Sequence, residues 1–139
     1  MDITIINGPN LNLLGKRETS VYGDQSFEVF LEQLKKKYPS VNFKYYQSNI
    51  EGELIDAIHA AGFEPGGIIL NPGGYTHTSV ALGDAIAAVP APVIEVHISN
   101  VYAREGFRHI SHVSAKAAGT ISGLGLKGYE LALEYLLEM

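Results

Sequence analysis

Apolar residues along the chain fall into two alternating patterns. Short apolar runs of the kind that form β-strands occupy residues 2–6, 41–47, 67–71, 93–97 and 120–122. Between most of them, apolar residues recur at the i, i+3, i+4, i+7 spacing of a helix with one buried face, and this spacing predicts helices over residues 26–38, 48–62, 78–88 and 126–137. Alternating strands and helices predict βαβ units on a parallel sheet.

Five strands in 139 residues predict one domain, residues 1–139, of the α/β class. The expected architecture is a flavodoxin-like three-layer sandwich whose five-stranded parallel sheet has the order 2-1-3-4-5. The continuous apolar strands agree with a parallel sheet that is buried on both faces.

Capping residues predict where two of the helices begin. Ser48 and Glu51 have the spacing of a capping box, which would open the second helix with Ile50 on its apolar face. Thr78 or Ser79 would cap the third helix. Residues 7–25 and 98–118 are predicted to be loops, the second with a short helix near residue 114.

Composition narrows the function classes. The net charge of −5 disfavours a general binder of nucleic acid or of anionic membranes, and no apolar run is long enough for a membrane span. The chain has no cysteine and does not begin like a signal peptide, so we expect a cytoplasmic protein. Charged residues are only 18% of the chain, which hints that other subunits cover part of its surface.

Candidate chemistry is concentrated in the loops that follow strands 1, 3 and 4. In the predicted sheet, ligands bind at this switch point. All three arginines of the chain lie in these loops, together with four of its five histidines. The arginines are Arg17, Arg104 and Arg108. An acidic protein with its arginines in one crevice is suited to hold an anion there.

Three pairs of residues, in these loops and at the end of strand 4, are candidates for acid–base chemistry and ligand binding. Arg17 lies five positions before Tyr22, and a guanidinium next to a tyrosine favours the phenolate, which is a stronger base than the phenol. Glu95 and His97 project from one face of strand 4, where a carboxylate can keep an imidazole protonated as a general acid. After strand 3, Asn71 and His77 could hold substrate hydroxyl groups.

Two other functions stay open from these patterns. Residues 123–128 match the G-x-G-x-x-G motif of nucleotide-binding folds, which would suit a flavin- or nucleotide-binding module, although the chain ends before the expected ribose-binding acid. His109 and His112 could be half of a metal site in a hydrolase, but no further metal-binding motif accompanies them.

The longer motifs resemble one enzyme family. Residues 8–15 read GPNLNLLG, residues 71–79 read NPGGYTHTS and residues 95–100 read EVHISN. With AREGFRH at 103–109 and the turn and helix at 123–129, these blocks resemble those of the type II 3-dehydroquinate dehydratases, in the same order and over nearly the whole chain.

The resemblance implies an enzyme that removes water from 3-dehydroquinate to give 3-dehydroshikimate in the shikimate pathway. The implied reaction is an anti elimination through an enolate, with no metal and no organic cofactor. By resemblance, Tyr22 is the base, Arg17 stabilises its phenolate, His97 protonates the leaving hydroxyl and Asn12 holds a water near the enolate oxygen. The implied substrate contacts are Asn71, His77, Asp84, Ile98, Ser99 and Arg108.

The resemblance also implies a homododecamer, a tetramer of trimers, in which Asp84 reaches the site of a neighbouring subunit. The expected binding partner besides other subunits is the small-molecule substrate 3-dehydroquinate. No nucleic acid or membrane is expected to bind. Three residues depart from the family pattern, namely Tyr102, Gly106 and Ile110. These departures affect the expected contacts at the rim of the site and between subunits, and they do not affect the expected class of reaction.

Overall fold

The five predicted strands form one parallel sheet. The structure, a computed structural model, describes residues 1–16 and 19–139. Its strands are β1 (Asp2–Asn7), β2 (Asn42–Gln47), β3 (Gly67–Asn71), β4 (Val93–His97) and β5 (Gly119–Ser122). All neighbouring pairs are parallel and the order is β2-β1-β3-β4-β5, which confirms the predicted topology.

Helices cover both faces of the sheet. They are α1 (Thr19–Tyr22), α2 (Phe27–Lys37), α3 (Glu51–Gly62), α4 (Val80–Ala88) and α5 (Lys127–Leu137). α2 and α5 pack on one face, and α3 and α4 pack on the other, so the three-layer prediction is confirmed. No helix of the described residues is long and apolar enough to cross a membrane.

The strand sequences explain the two cores. Side chains alternate between the faces of a strand, so Ile69 packs against α2 and α5 while Ile68 and Leu70 pack against α3 and α4. Every residue of β3 and β4 is buried, which accounts for their continuous apolar runs. β2, at the sheet edge, instead alternates between exposed and half-buried positions.

The start of α3 differs from the sequence prediction. The Ser48 hydroxyl accepts a hydrogen bond from the Ile50 amide at 3.0 Å and donates to the Glu53 carboxylate at 2.5 Å, instead of forming a capping box with Glu51. Ile50 is 59% exposed, because the helix begins one residue after it. The cap of α4 is Ser79, whose hydroxyl accepts from the Leu82 amide at 3.0 Å.

The two predicted loops contain short helical segments. Residues 7–25 include a 3₁₀ turn (Leu11–Leu13) as well as α1, and residues 98–118 include two more 3₁₀ turns (Val101–Ala103 and Gly106–His109). The short helix expected near Ser114 is wrong. The Lys116 amide bonds to the Val113 carbonyl in an isolated turn, and this segment forms turns and bends throughout.

The strand order determines where a site can form. β1 and β3 are neighbours in the sheet, and their last residues, Asn7 and Asn71, are register partners. β4 lies next to β3 and ends at His97. The carboxyl ends of the three strands therefore meet at one edge, where the chain reverses its direction of winding.

Candidate active site

A cavity of about 140 Å³ opens at the carboxyl ends of β1, β3 and β4. Its wall comes from the loops that follow these strands and from the end of α1. The lining residues are Pro9, Asn10, Leu11, Leu14, Tyr22, Asn71, Gly73, Gly74, His77, His97, Ile98, Ser99, Val101, Arg104 and Arg108.

Seven of the ten site residues expected from the sequence line this cavity. They are Tyr22, Asn71, His77, His97, Ile98, Ser99 and Arg108. Asn12 is exposed on the 3₁₀ turn next to Leu11, and Asp84 is exposed on α4; neither lines the cavity of its own chain. Arg17 lies outside the described residues.

Glu95 and His97 form a buried pair at the end of β4. The two side chains project to the same face of the strand, and the His97 Nε2 atom bonds to the Glu95 Oε2 atom. Glu95 is 1% exposed and His97 is 8% exposed. With Nε2 bonded to the carboxylate, Nδ1 is the ring nitrogen that can exchange a proton with a ligand.

Three hydroxyl groups complete the surroundings of Glu95. Thr76 Oγ1 and Ser111 Oγ donate to Oε2 at 2.8 and 3.3 Å, and Ser114 Oγ donates to Oε1 at 2.5 Å. Burial raises the pKa of Glu95, but the hydrogen bond and charge of His97 and the bonds from Ser114 and Thr76 outweigh it. The pKa of Glu95 therefore lies below its ordinary value, and the carboxylate is ionised at neutral pH.

Tyr22 is held by an arginine from another part of the chain. Arg104 Nη1 donates to the Tyr22 hydroxyl oxygen at 2.8 Å, and the guanidinium carbon lies 5.8 Å from the centre of the tyrosine ring. The same nitrogen donates to Ser99 Oγ at 3.3 Å. A cation that donates to a phenol oxygen stabilises the phenolate form, so this contact suits a tyrosine that acts as a base.

Sequence reasoning placed Arg104 in the anion-binding crevice but assigned it no role. Its partner is 82 residues away in the chain, so no local spacing joins the two. A usable signal was present nonetheless. A tyrosine base needs a cation, and the loops of the switch point contain every arginine of the chain.

His77 is fixed in one neutral form. Its Nδ1 atom lies 2.7 Å from the Ile110 carbonyl oxygen, so Nδ1 carries the hydrogen and donates it. Burial lowers the pKa of His77, and although the bond to Ile110 opposes this, the nearby charges of His97 and Arg108 lower it further. Neutral His77 therefore has Nε2 as its acceptor, which can receive a hydrogen bond from a hydroxyl group.

Close backbone approaches shape the floor of the cavity. A Cβ atom at Gly8 would lie 2.5 Å from the Pro72 carbonyl oxygen, so a glycine is required where the loops after β1 and β3 cross. Asn10 has a left-handed backbone with φ 71°, and its amide donates to Asn49 Oδ1 at 2.9 Å. This bond fixes the start of the loop that leads to Tyr22.

The geometry counts against the two other functions suggested by motifs. The amides of Gly123 and Gly125 already donate to the His97 and Ile98 carbonyls, at 3.2 and 3.1 Å, so they are not presented to a phosphate. His109 and His112 gain no third ligand, because within residues 1–16 and 19–139 no group of three or more metal-binding side chains comes together.

Comparison with known proteins decides the family. The sequence model of the family described as "Dehydroquinase class II" matches residues 1–137. The chain belongs to the class II dehydroquinases. It is 55% identical to the 3-dehydroquinate dehydratase of an Exiguobacterium species, over 99% of this chain and 95% of that protein. It is 52% identical to the 3-dehydroquinate dehydratase of Prochlorococcus marinus, over 96% and 94% of the two chains.

Solved structures of class II dehydroquinases have the same fold. The crystal structure of type II dehydroquinase from Butyrivibrio crossotus matches with a TM-score of 0.94 at 48% identity, covering 99% of this chain and 97% of that one. The type II dehydroquinase from Propionibacterium acnes matches with a TM-score of 0.95 at 41% identity and the same coverage. The family resemblance noted from the sequence motifs is confirmed.

The lowered pKa of Glu95 predicts a pH-dependent contribution to stability. A carboxyl group whose pKa is lower in the folded than in the unfolded chain stabilises the fold at neutral pH, and this stabilisation is lost as the pH falls from about 5 through the folded pKa. The difference in unfolding free energy between wild type and Glu95→Gln should therefore be largest at pH 7 and become smaller toward pH 4. Denaturant unfolding at a series of pH values measures it.

Glu32→Gln is the matched control, because Glu32 is exposed and pairs with the exposed Lys35 on the surface of α2. Its difference from wild type should be small throughout. A Glu95→Gln difference that stays constant from pH 7 to pH 4 would contradict the ionised, stabilising carboxylate.

Proposed function

We propose that this chain is a 3-dehydroquinate dehydratase that forms 3-dehydroshikimate and water, a step of the shikimate pathway. The observation that carries the proposal is the convergence on one cavity of an arginine-bound tyrosine and a carboxylate-bound histidine. An elimination next to a ketone needs a base, a stabiliser of negative charge and an acid. The cavity supplies all three within a class II dehydroquinase fold.

Tyr22 is the base in this proposal. Its phenolate removes a proton from the carbon next to the ketone, and the electrons of that C–H bond move onto the ketone oxygen to form an enolate. Arg104 stabilises the phenolate through the 2.8 Å bond, and Arg17, by family resemblance, adds a second positive charge. Asn12 joins the proposal through the family resemblance alone, as the residue that holds a water near the enolate oxygen.

His97 is the acid. When the enolate reforms the ketone, the C–O bond to the leaving hydroxyl breaks, and His97 supplies the proton that makes the leaving group water. Glu95 supports this role because its bond to Nε2 holds the His97 ring in place and leaves Nδ1 to donate. Tyr22 and His97 return to their starting forms by exchanging protons with solvent.

The remaining cavity residues suit a polyhydroxylated, anionic substrate. Neutral His77 offers an acceptor to a hydroxyl group. Arg108 provides a second guanidinium in the cavity wall, where it is oriented by a bond to Glu105. Ile98 and Ser99 lie directly after His97 in the wall, so a substrate that meets the acid also meets them.

Replacing the base should slow turnover by orders of magnitude without disturbing the fold. Purified wild-type protein mixed with 3-dehydroquinate should develop the ultraviolet absorbance of a conjugated enone. Tyr22→Phe should lower kcat by about 10²–10⁴-fold, since it removes the group that accepts the proton. Tyr46→Phe, which changes a tyrosine on the edge strand, should keep the wild-type rate. Near wild-type turnover by Tyr22→Phe would remove Tyr22 as the base.

Arg104 should act on the chemical step. Arg104→Gln should lower kcat by roughly 10²-fold, because the phenolate loses the cation that donates to it, and Arg104→Lys should recover part of the rate. Lys36→Gln removes one positive charge from the exposed surface of α2 and is the control for net charge. If Arg104→Gln raised only KM, Arg104 would bind substrate without supporting the base.

The proposal includes a homododecamer in which Asp84 completes a neighbouring site. Asp84 is exposed on α4 and does not line the cavity of its own chain, which supports a role outside that chain. The low content of charged residues, 18%, also suits a surface that is partly covered by other subunits. The single domain and a cytoplasmic location stay predictions from the sequence.

The proposed dodecamer predicts the mass of the assembly and the effect of replacing Asp84. Light scattering should give twelve times the 15.0 kDa mass of one chain. Asp84→Asn should lower kcat/KM about tenfold through the loss of one charged contact to substrate, whereas Asp56→Asn, at an exposed position on α3, should not. A fully active monomer would contradict both the assembly and the role of Asp84.

A further inference from the structure

The G-x-G-x-x-G motif near the end of the sequence has a structural role that its glycine pattern did not predict. Residues 123–129 form the turn into α5 and its first residues, next to the carboxyl end of β4. A Cβ atom at Gly128 would lie 3.3 Å from side-chain carbons of Ile121 and Val96, so the glycine lets the start of α5 approach the sheet closely. The next residue, Tyr129, is thereby placed beneath the cavity and is completely buried.

The Tyr129 hydroxyl joins the ends of two neighbouring strands. It donates to Asn7 Oδ1 at 2.8 Å and accepts from Asn71 Nδ2 at 2.8 Å. Asn7 and Asn71 are register partners at the carboxyl ends of β1 and β3. The tyrosine ring is fixed by Phe27 and Phe30, with ring centres 5.0 and 5.9 Å away, so the hydroxyl position is determined by core packing.

The hydrogen bonds of this network run in one direction. Asn7 uses its Nδ2 group to donate to the Tyr45 hydroxyl at 3.3 Å, which turns Asn7 Oδ1 toward Tyr129. Burial raises the pKa of Tyr129 well above its ordinary value, so the hydroxyl keeps its one proton and gives it to Asn7. It can then only accept from Asn71, and this selects the amide orientation in which Nδ2 points toward Tyr129.

The other end of the Asn71 amide agrees with this orientation. Its Oδ1 atom accepts a hydrogen bond from the Gly73 amide at 3.0 Å. Because a side-chain amide has two hydrogens and two lone pairs, one Nδ2 hydrogen and one Oδ1 lone pair remain. Asn71 lines the cavity, so it can offer a donor and an acceptor together. A hydroxyl group, which both donates and accepts, matches that pair.

We propose that Tyr129 is a positioning residue for substrate binding, which holds the Asn71 amide in the orientation that recognises a hydroxyl group of the substrate. This inference rests on the proposed function, because it names how that site selects a hydroxylated ligand. Tyr129 acts entirely through Asn71, since its hydroxyl lies beneath the cavity wall and does not line the cavity. Its removal should therefore weaken substrate binding more than the chemical step.

The experiment is a double-mutant cycle on steady-state rates with 3-dehydroquinate. Tyr129→Phe in the wild-type background should raise KM roughly five- to twentyfold, because the Asn71 amide loses the partner that orients it. The value of kcat should change by less than about threefold, as expected for lost binding that is common to ground and transition states. In an Asn71→Ala background, Tyr129→Phe should leave KM nearly unchanged, because the amide through which it acts is absent.

Tyr38→Phe is the matched control, because it removes another tyrosine hydroxyl that bonds to α5. That hydroxyl donates to Glu130 at 2.8 Å, away from the cavity, so KM should stay at the wild-type value. Thermal unfolding of each variant shows that it is folded at the assay temperature.

The outcomes separate this inference from the proposed function. An equal rise in KM in both backgrounds would show a general loosening of the site and would overturn the positioning role. An unchanged KM in Tyr129→Phe would overturn it as well. Both results leave the dehydratase activity of the wild-type protein intact, whereas wild-type protein that does not dehydrate 3-dehydroquinate would remove the proposed function and this inference with it.

Discussion

The site depends on one buried negative charge, the carboxylate of Glu95. A carboxylate that is 1% exposed is stable only when other groups replace its lost water, and His97 with three hydroxyl groups does so here. The hydroxyls come from two segments, the turn after β3 and residues 110–118. The hydrogen bonds from these hydroxyls to Glu95 hold both segments against the end of β4, and the bond between Glu95 and His97 sets the position of the proposed acid.

A second polar network supports the cavity from the carboxyl ends of β1 and β3. Its hydrogen bonds run from Tyr45 on β2 through Asn7 on β1 and Tyr129 on α5 to Asn71 on β3. Among the described residues, no buried side-chain nitrogen or oxygen lacks a partner, so these polar groups are compatible with burial. The apolar sheet provides the frame, and the two networks fix the His97 ring and the Asn71 amide in the cavity wall.

Most of the fold could be predicted from the sequence because its signals are local and periodic. The stripe of Phe27, Phe30 and Leu34 specifies the buried face of α2, and the apolar strands specify a parallel sheet. The cap of α3 could not be predicted from a local pattern, because Ser48 bonds to Glu53 and not to Glu51, the residue at the spacing of a capping box. The Arg104–Tyr22 bond joins residues 82 positions apart, a distance over which no periodic pattern acts.

The central claim is that Glu95 is ionised in the folded protein and holds His97 as the acid. Carbon-13 NMR of protein labelled at the glutamate carboxyl carbons, with Glu95→Gln to assign the signal, follows this group directly through a pH titration. The structure predicts that Glu95 keeps the chemical shift of a carboxylate to a pH below the ordinary pKa of a glutamate side chain. A Glu95 signal that takes up its proton at that ordinary pKa, or at a higher pH, would contradict the claim.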